Sequence, residues 1–581
     1  MSAAASALGT MQTVQTALTV VHTLALTAWR IPSDCPISNG SSYDFIVIGG
    51  GTAGSVLANR LSADENINVL LLEAGGYAPL ESELPGLFPL LPSTAYDFNF
   101  TSVNDHYTGQ NLQNGQVELT QGKMLGGSAA NHHMIHVQGD PHDYDQWAKI
   151  LDDDTWSYKN VQPYLRRQEN LTDPGLLDSE YADLHGTDGY LKIARDEQSA
   201  NIKYLEAYEE LGHNIVEDTS SEISSLGFTQ PLLNVVDGIR QTGAVGYLGA
   251  AQTRKNLCVA LSTTATKILI KDGVAVGVQV LTSYGKTSKL YAKKEVIVSA
   301  GAINSPKLLM LSGIGPKTHL ESLGIEVVAD LPVGQNFMDH PSAVVVYQME
   351  ANSDPLPAVN PHVFPVPITT GYVALDPKQP YPDYQVINLV FPHDAAALLQ
   401  LCTNVFKYTH EVCDKFFAAT SGRSTLFVVN NLMMPKSRGE IKLASADPSA
   451  QPLIYTGTYT NKDDLDLMAR SLEDFDRVLN TTYFKSVGAS RVDLGICSDL
   501  SGLEFWECYA LEMSATMWHY AGTCSMGSVL DTRLRVKGLQ NLRVVDSSAM
   551  PTEVSGNINA AVGMIAERAS DFILDTWNIL H

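Results

Sequence analysis

The richest run of chemistry-bearing residues is DFIVIGGGTAGSVLANRLSADENINVLLLE, at positions 44–73. Gly49, Gly51 and Gly54 stand at the spacing G-x-G-x-x-G. Each glycine has a separate task in a dinucleotide site. Gly49 permits a tight turn, Gly51 lets backbone approach a pyrophosphate, and Gly54 lets a helix pack close to a strand. Thr52 leads into a helix opening at Ala53, whose first N–H groups and positive dipole end suit phosphate. Glu73 ends the second apolar run and is followed by Ala74. A carboxylate there accepts hydrogen bonds from a ribose diol, which predicts FAD or NAD rather than NADP.

The elements that must hold these residues are legible around them. Residues 45–48 and 69–72 are apolar runs of strand length and read as buried parallel strands. Residues 53–61 read as the helix between them. Strand, glycines, helix, strand and acid arrive in the order the dinucleotide fingerprint requires. Further on, residues 77–104 are rich in Pro, Leu and aromatics without helical period, and read as a covering loop. GKMLGGSAAN at 122–131 is a second glycine-rich loop, followed by His132, His133 and His136. Residues 143–165 have helical character, with Tyr144, Trp147 and Ile150 as apolar contacts. From 256 onward short β-rich runs with turns such as Asp272-Gly273 predict an antiparallel meander leading into a last strand at 295–299. Residues 355–367 read as a proline-dense loop, 424–459 as strands, and 463–480 as an amphipathic helix. Residues 542–545 read as a strand and 560–580 as a closing helix. No internal repeat is present.

A chain of 581 residues exceeds what one core accommodates, so two or three domains are expected. With 44% hydrophobic and 17% charged residues, the composition is that of a globular protein. A net charge of −25 argues against nucleic acid or an anionic membrane surface as partner. Seven cysteines include two pairs of equal separation, Cys402 with Cys413 and Cys497 with Cys508. Neither pair has metal-ligand spacing; a disulfide is expected at Cys497–Cys508, with Cys402–Cys413 the weaker case. Residues 11–29 are apolar but carry Gln12, Gln15 and His22 and no preceding basic residue. They read as a secretion signal or as an uncleaved helical extension, and as too polar for a membrane span. N-x-[ST] sites occur at Asn39, Asn99, Asn170 and Asn480.

Four stretches taken together resemble the glucose–methanol–choline (GMC) oxidoreductases. They are GGGTAGSVLANRL, GKMLGGS at Gly122, GAINSPKLLMLSGIG at Gly301, and the tail HYAGTCSMG with NLRVVDSSAMPTEVSGNINAAVGMIAER. The resemblance runs from about residue 44 to the C-terminus. It implies FAD, which the Rossmann pattern alone could not separate from NAD. It also implies an α/β fold: a discontinuous Rossmann-type FAD-binding domain plus an α+β substrate domain with a large antiparallel sheet. The expected division is an extension at 1–43, FAD-binding parts at 44–145, 241–345 and 520–581, and substrate parts at 146–240 and 346–519. The extension and the Cys497–Cys508 loop resemble the insect branch, and overall likeness within it is to ecdysone oxidases.

What the resemblance implies for the site can be stated residue by residue. His519 falls where the family keeps its catalytic histidine; a neutral imidazole suits a base that takes the alcohol proton while hydride passes to flavin N5. Asn557 falls where members carry His or Asn, and can orient the hydroxyl. Gly122, Lys123, Leu125, Gly126 and Ser128 match the loop against the pyrophosphate and ring. Met134 matches a flavin-side residue, Thr266 an adenine contact, and Asp546 with Ser547 the pyrophosphate and ribityl contacts. Asn559 and Ala560 open the last helix, whose N-terminus favours the reduced flavin's negative charge. Two departures stand out. Gln121 replaces the usual Arg before the loop glycine, which predicts weaker phosphate anchoring. His132 replaces the usual Asn, and is expected to pack noncovalently on the flavin. No metal is expected.

Pocket walls are expected from residues 77–104 and 355–415 with Trp518. Their apolar content favours an apolar or amphipathic alcohol, with an ecdysteroid 3-hydroxyl implied by the ecdysone oxidase likeness and O2 as acceptor giving H2O2. Alternatives are a glucose or other small-alcohol dehydrogenase using a quinone, and a flavin-free binding protein.

Overall fold

A computed structural model describes residues 31–196, 199–219, 223, 225–351 and 360–580. The signal-like run at 11–29 lies outside the described residues. Two large sheets organise the rest. In the first, strands lie in the order Leu257–Ala260, Val69–Leu72, Ser42–Ile48, Thr287–Val298, Val274–Thr282 and Thr263–Lys271, with Leu542–Val544 also pairing Thr287–Val298. Its centre is parallel: Ser42–Ile48 pairs in parallel with Val69–Leu72 and with Thr287–Val298. Phe45, Ile46, Val47, Val69, Leu70 and Leu71 are fully buried, because helices cover both faces there. The helix after the glycines is Thr52–Leu61.

The meander is present, but its last strand is not a separate piece. Thr287–Val298 is one twelve-residue strand. Its first half alternates exposed and buried residues and its last four residues are all buried. The alternating half belongs to the antiparallel meander, which is solvated on one face, and the buried half to the parallel core.

The second sheet is antiparallel throughout: Ser490–Arg491, Pro341–Ala351, Arg423–Leu432, Tyr384–Phe391, Ile368–Val373 and Gly227–Thr229, with Ser514–Thr516 also pairing Pro341–Ala351. Lys462–Asp476 lies behind it, its side chains Met468 and Leu472 in the same core. The expected amphipathic helix thus ends at Asp476 and continues as a 3-10 turn, Arg477–Asn480.

The closing helix, Asn559–Thr576, packs on Thr52–Leu61 and on Tyr158–Gln168. Arg60 pairs with buried Glu567 at 2.7 Å, and Tyr247 donates its hydroxyl to the same carboxylate at 2.6 Å. Trp156, Tyr158, Val161 and Leu165 therefore belong to the first core, although the sequence division placed them in the substrate domain. An amphipathic helix announces an apolar face without naming the sheet or helix that will cover it. The helical run at 143–165 is two helices, Pro141–Leu151 and Tyr158–Gln168. Tyr144 and Trp147 are buried as expected, whereas Ile150 is 52% exposed. The covering loop carries short turns of its own, Leu80–Glu83 and Pro85–Leu90.

Both expected disulfides are present, Cys402–Cys413 and Cys497–Cys508. A third, Cys35–Cys258, ties the segment before the first strand to the edge strand Leu257–Ala260. Cys524 is free and buried. Among the described residues no helix is long and apolar enough to cross a membrane.

Candidate active site

The glycine loop is built as its spacing requires. Gly49 has φ +107°, and a Cβ on Gly54 would lie 1.8 Å from the Gly49 carbonyl oxygen. Helix and turn therefore touch through backbone alone. Glu73 holds this turn from the next strand: its carboxylate accepts Gly50 N–H and Gly75 N–H, each at 2.8 Å. Burial nevertheless pushes its pKa up to about 7. So Glu73 braces the loop as well as facing the cavity.

In front of the loop lies a cavity of about 700 Å³, within the range of cofactor sites. Its walls include Gly49, Gly51, Thr52, Ala53, Glu73 and Ala74 from the first βαβ unit. Gly122, Lys123, Ser128, His132 and Met134 come from the second glycine loop and its sequel. Thr266 lines it from the meander; Asp546, Ser547 and Asn559 come from the tail. His519 and Asn557 stand in the same wall. Seventeen positions spread over five hundred residues could not converge on one cleft without the discontinuous fold.

Four expected contact residues stand behind the wall. Gly54 packs the helix on the turn, and Leu125 sits under Gly50. Gly126 takes φ +102° and donates its N–H to the Gly50 carbonyl at 2.8 Å. Ala560 is buried in the closing helix and its carbonyl accepts from Gln168. These residues shape the cleft through backbone packing, which a motif match cannot distinguish from contact. Gln121, the Arg departure, lines the cavity and spends its amide on the Ala300 carbonyl at 2.9 Å. Asp546 accepts Gly301 N–H and the Ser305 hydroxyl, stitching the tail to the helix Gly301–Leu311.

His519, in the cavity wall, is half of a histidine pair that the sequence did not reveal. His519 Nδ1 lies 2.8 Å from His340 Nδ1. His340 is fully buried, and its Nε2 faces the Met433 carbonyl at 3.2 Å. A carbonyl only accepts, so His340 carries its proton on Nε2 and accepts at Nδ1. His519 must then donate from Nδ1, which leaves a bare lone pair on its Nε2. Asn557 Nδ2 lies 3.1 Å from that nitrogen, and Gln385 Nε2 reaches Asn557 Oδ1 at 3.4 Å. Both rings are neutral: burial lowers His340 to about 4, and burial plus the neighbouring His340, His133 and His132 holds His519 well below the ordinary histidine value. Asp339 anchors the backbone by accepting His519 N–H at 2.9 Å. Trp518, at φ +59°, takes the left-handed conformation that turns the next residue into the cavity. The arrangement offers a neutral, oriented proton acceptor beside an amide donor, in the wall of the cavity.

His132 lines the same cavity. Its Nδ1 accepts Met134 N–H at 2.8 Å, while its Nε2 is buried without a protein partner. His136 turns away to Glu169 at 2.7 Å, and among the described residues no cluster is placed to hold a metal.

The expected pocket walls need correction. Phe98, Phe100 and Trp518 line the cavity, but no residue of 360–415 does. Phe364 and Phe406 pack one layer back: Phe364 stacks on Phe88, whose ring meets His133 at a tilt, while Phe406 meets Trp518 at 5.3 Å. Most of that segment fills the second core instead.

Family models described as GMC oxidoreductase match residues 43–342 and 435–566. The chain is a GMC oxidoreductase. It is 38% identical to the ecdysone oxidase of Spodoptera littoralis, covering 94% of each chain. It is 32% identical to the Drosophila melanogaster glucose dehydrogenase [FAD, quinone], covering 92% of this chain and 87% of that one. The crystal structure of pyridoxine 4-oxidase from Mesorbium loti superposes with a TM-score of 0.79 at 26% identity, over 93% of this chain and all of that one. As a member of this family the protein is an FAD-dependent oxidoreductase acting on alcohols.

Proposed function

We propose that the protein oxidises the secondary 3-hydroxyl of an ecdysteroid such as ecdysone to the ketone, with O2 as final acceptor and H2O2 as product. FAD supplies the hydride acceptor. His519 Nε2 takes the hydroxyl proton, and Asn557 holds the hydroxyl oxygen through its amide while the C–H bond breaks. His340 acts through His519, as a positioning residue that keeps the receiving nitrogen bare. The observation that carries this reading is the His340–His519–Asn557 chain, which leaves His519 Nε2 as an acceptor beside the Asn557 amide, both residues lining the cleft. A neutral base close to where charge develops suits alcohol oxidation, because no proton must be shed before catalysis begins.

Two features support the substrate. The similarity to an ecdysone oxidase extends over nearly the whole chain. The layer behind Trp518 and His133 is aromatic, which matches a steroid face better than a sugar. Secretion is part of the same reading: three disulfides belong to an oxidising compartment.

The test is anaerobic mixing of the FAD-loaded protein with ecdysone, followed by admission of air. The visible flavin band should bleach and then return rapidly. A band bleached by glucose but not by ecdysone overturns the steroid assignment, and slow return in air with fast return on a quinone overturns the oxidase assignment. His519→Ala should retain FAD and lose reduction; reduction near the wild-type rate overturns the assignment of the base.

A further inference from the structure

Arg240 is a buried cation without a carboxylate. It is 1% exposed, and among the described residues no acidic side chain pairs with it. Its Nε donates to the Ser82 carbonyl at 2.6 Å, and its Nη1 to the carbonyls of His132 at 2.7 Å and Ala129 at 3.3 Å. Nη1 also lies 3.1 Å from His132 Nδ1, and Nη2 has no partner. Burying an uncompensated guanidinium costs stability, so its retention here requires a reason.

The hydrogen bonds fix the state of His132. Two donors converge on its Nδ1, the guanidinium and Met134 N–H, and neither can accept. Nδ1 is therefore bare, and the proton must sit on Nε2, the buried nitrogen without a protein partner. A charged imidazolium would turn an N–H against both donors; burial and Arg240 accordingly hold His132 well below the ordinary histidine value. Met134 takes φ +65°, which keeps its N–H on this bond. His132 lines the cavity, and it is near enough to His519 to lower that ring's proton affinity. It thus belongs to the end of the cleft where the alcohol is oxidised.

We propose that Arg240 and His132 form a relay that favours the reduced cofactor. Arg240 locks His132 as a neutral donor from Nε2 into the FAD cleft and polarises that N–H with its own charge. The alcohol loses a hydride and a proton, and the proton goes to His519, so hydride capture adds one negative charge at this end of the cleft. The relay binds that charge more strongly than the uncharged oxidised form. Arg240 is a positioning residue that touches neither substrate nor cofactor. The inference rests on the reading of His132 as an FAD contact.

The experiment compares FAD midpoint potentials of the wild type, Arg240→Gln, His132→Leu and the double variant, with FAD content measured for each. Glutamine keeps a donor toward Nδ1 and removes the charge. Arg240→Gln should weaken binding of reduced relative to oxidised FAD about tenfold, a fall of about 30 mV for a two-electron couple. His132→Leu should fall at least as far, and adding Arg240→Gln to it should change nothing more. His132→Asn, which can accept from Arg240 and donate onward, should stay near the wild type. An unchanged potential in Arg240→Gln, or additive falls in the double variant, overturns the relay. Should a variant fail to fold, nitrogen NMR of histidine-labelled wild type decides, with or without FAD. A bare Nδ1 and protonated Nε2 on His132 are expected, and the opposite tautomer or an imidazolium overturns the proposal. Loss of FAD from the wild type would instead remove the reading of the contact, while leaving the tautomer measurable.

Discussion

Replacing His340 with leucine tests the site most directly, because His340 lies outside the cleft wall and acts only through His519. In His340→Leu the Nδ1–H of His519 loses its acceptor at 2.8 Å and stays buried. Leaving a buried donor unmade costs about 1–3 kcal/mol. His519 escapes that cost by moving its proton to Nε2, where it donates toward the cleft and can no longer act as base. The competent tautomer becomes the minor one by that margin, so flavin reduction should slow by about 5- to 150-fold. FAD content should be unchanged, since the side chain does not line the cavity. His340→Gln should recover much of the rate, because its Oε1 can accept from His519 while its amide donates to the Met433 carbonyl. The assay is anaerobic stopped-flow reduction by the alcohol at saturation. A fully FAD-loaded His340→Leu enzyme reducing at the wild-type rate would refute the tautomer argument.

Four further outcomes follow from buried groups and the third disulfide. With His519 held well below the ordinary histidine value, the reduction rate should not fall as pH drops through about 6.5; a rate profile with an apparent pKa there contradicts this. Because His340 is lowered to about 4, the unfolded chain binds a proton first on acidification. Stability is then full above about pH 6.5 and lost towards pH 4, by about 3 kcal/mol from this group, and urea midpoints in His340→Gln should show a shallower fall. Glu553 is buried with neither carboxylate oxygen hydrogen-bonded, and desolvation with neighbouring Asp339 raises it well above the carboxylate range. Its cost appears as pH rises above its unfolded value, so Glu553→Gln should gain more stability at pH 8 than at pH 4. Separating Cys35 from Cys258 by Cys35→Ser with Cys258→Ser should lower stability by about 2–4 kcal/mol, read as a drop in Tm; an unchanged Tm shows the tie is redundant.

The sequence alone determined the dinucleotide unit, because its information is local. Gly49, Gly51, Gly54 and Glu73 sit within one turn of chain and one strand, and their backbone requirements are written in residue type and spacing. Resemblance extended this to His519 and Asn557, 38 residues apart at the closing end. Tertiary structure alone decided what governs those residues. His340 reaches His519 across 179 positions and Arg240 reaches His132 across 108. Cys35 meets Cys258 across 223. No period, cap or turn links such positions, since each contact exists only after two sheets and a closing helix have folded together. The same holds for helix Tyr158–Gln168, whose apolar stripe is plain in the sequence but whose partner, the closing helix, lies some four hundred residues away. Local physics fixes which residues can do chemistry here, and long-range packing fixes which nitrogen of each histidine carries the proton.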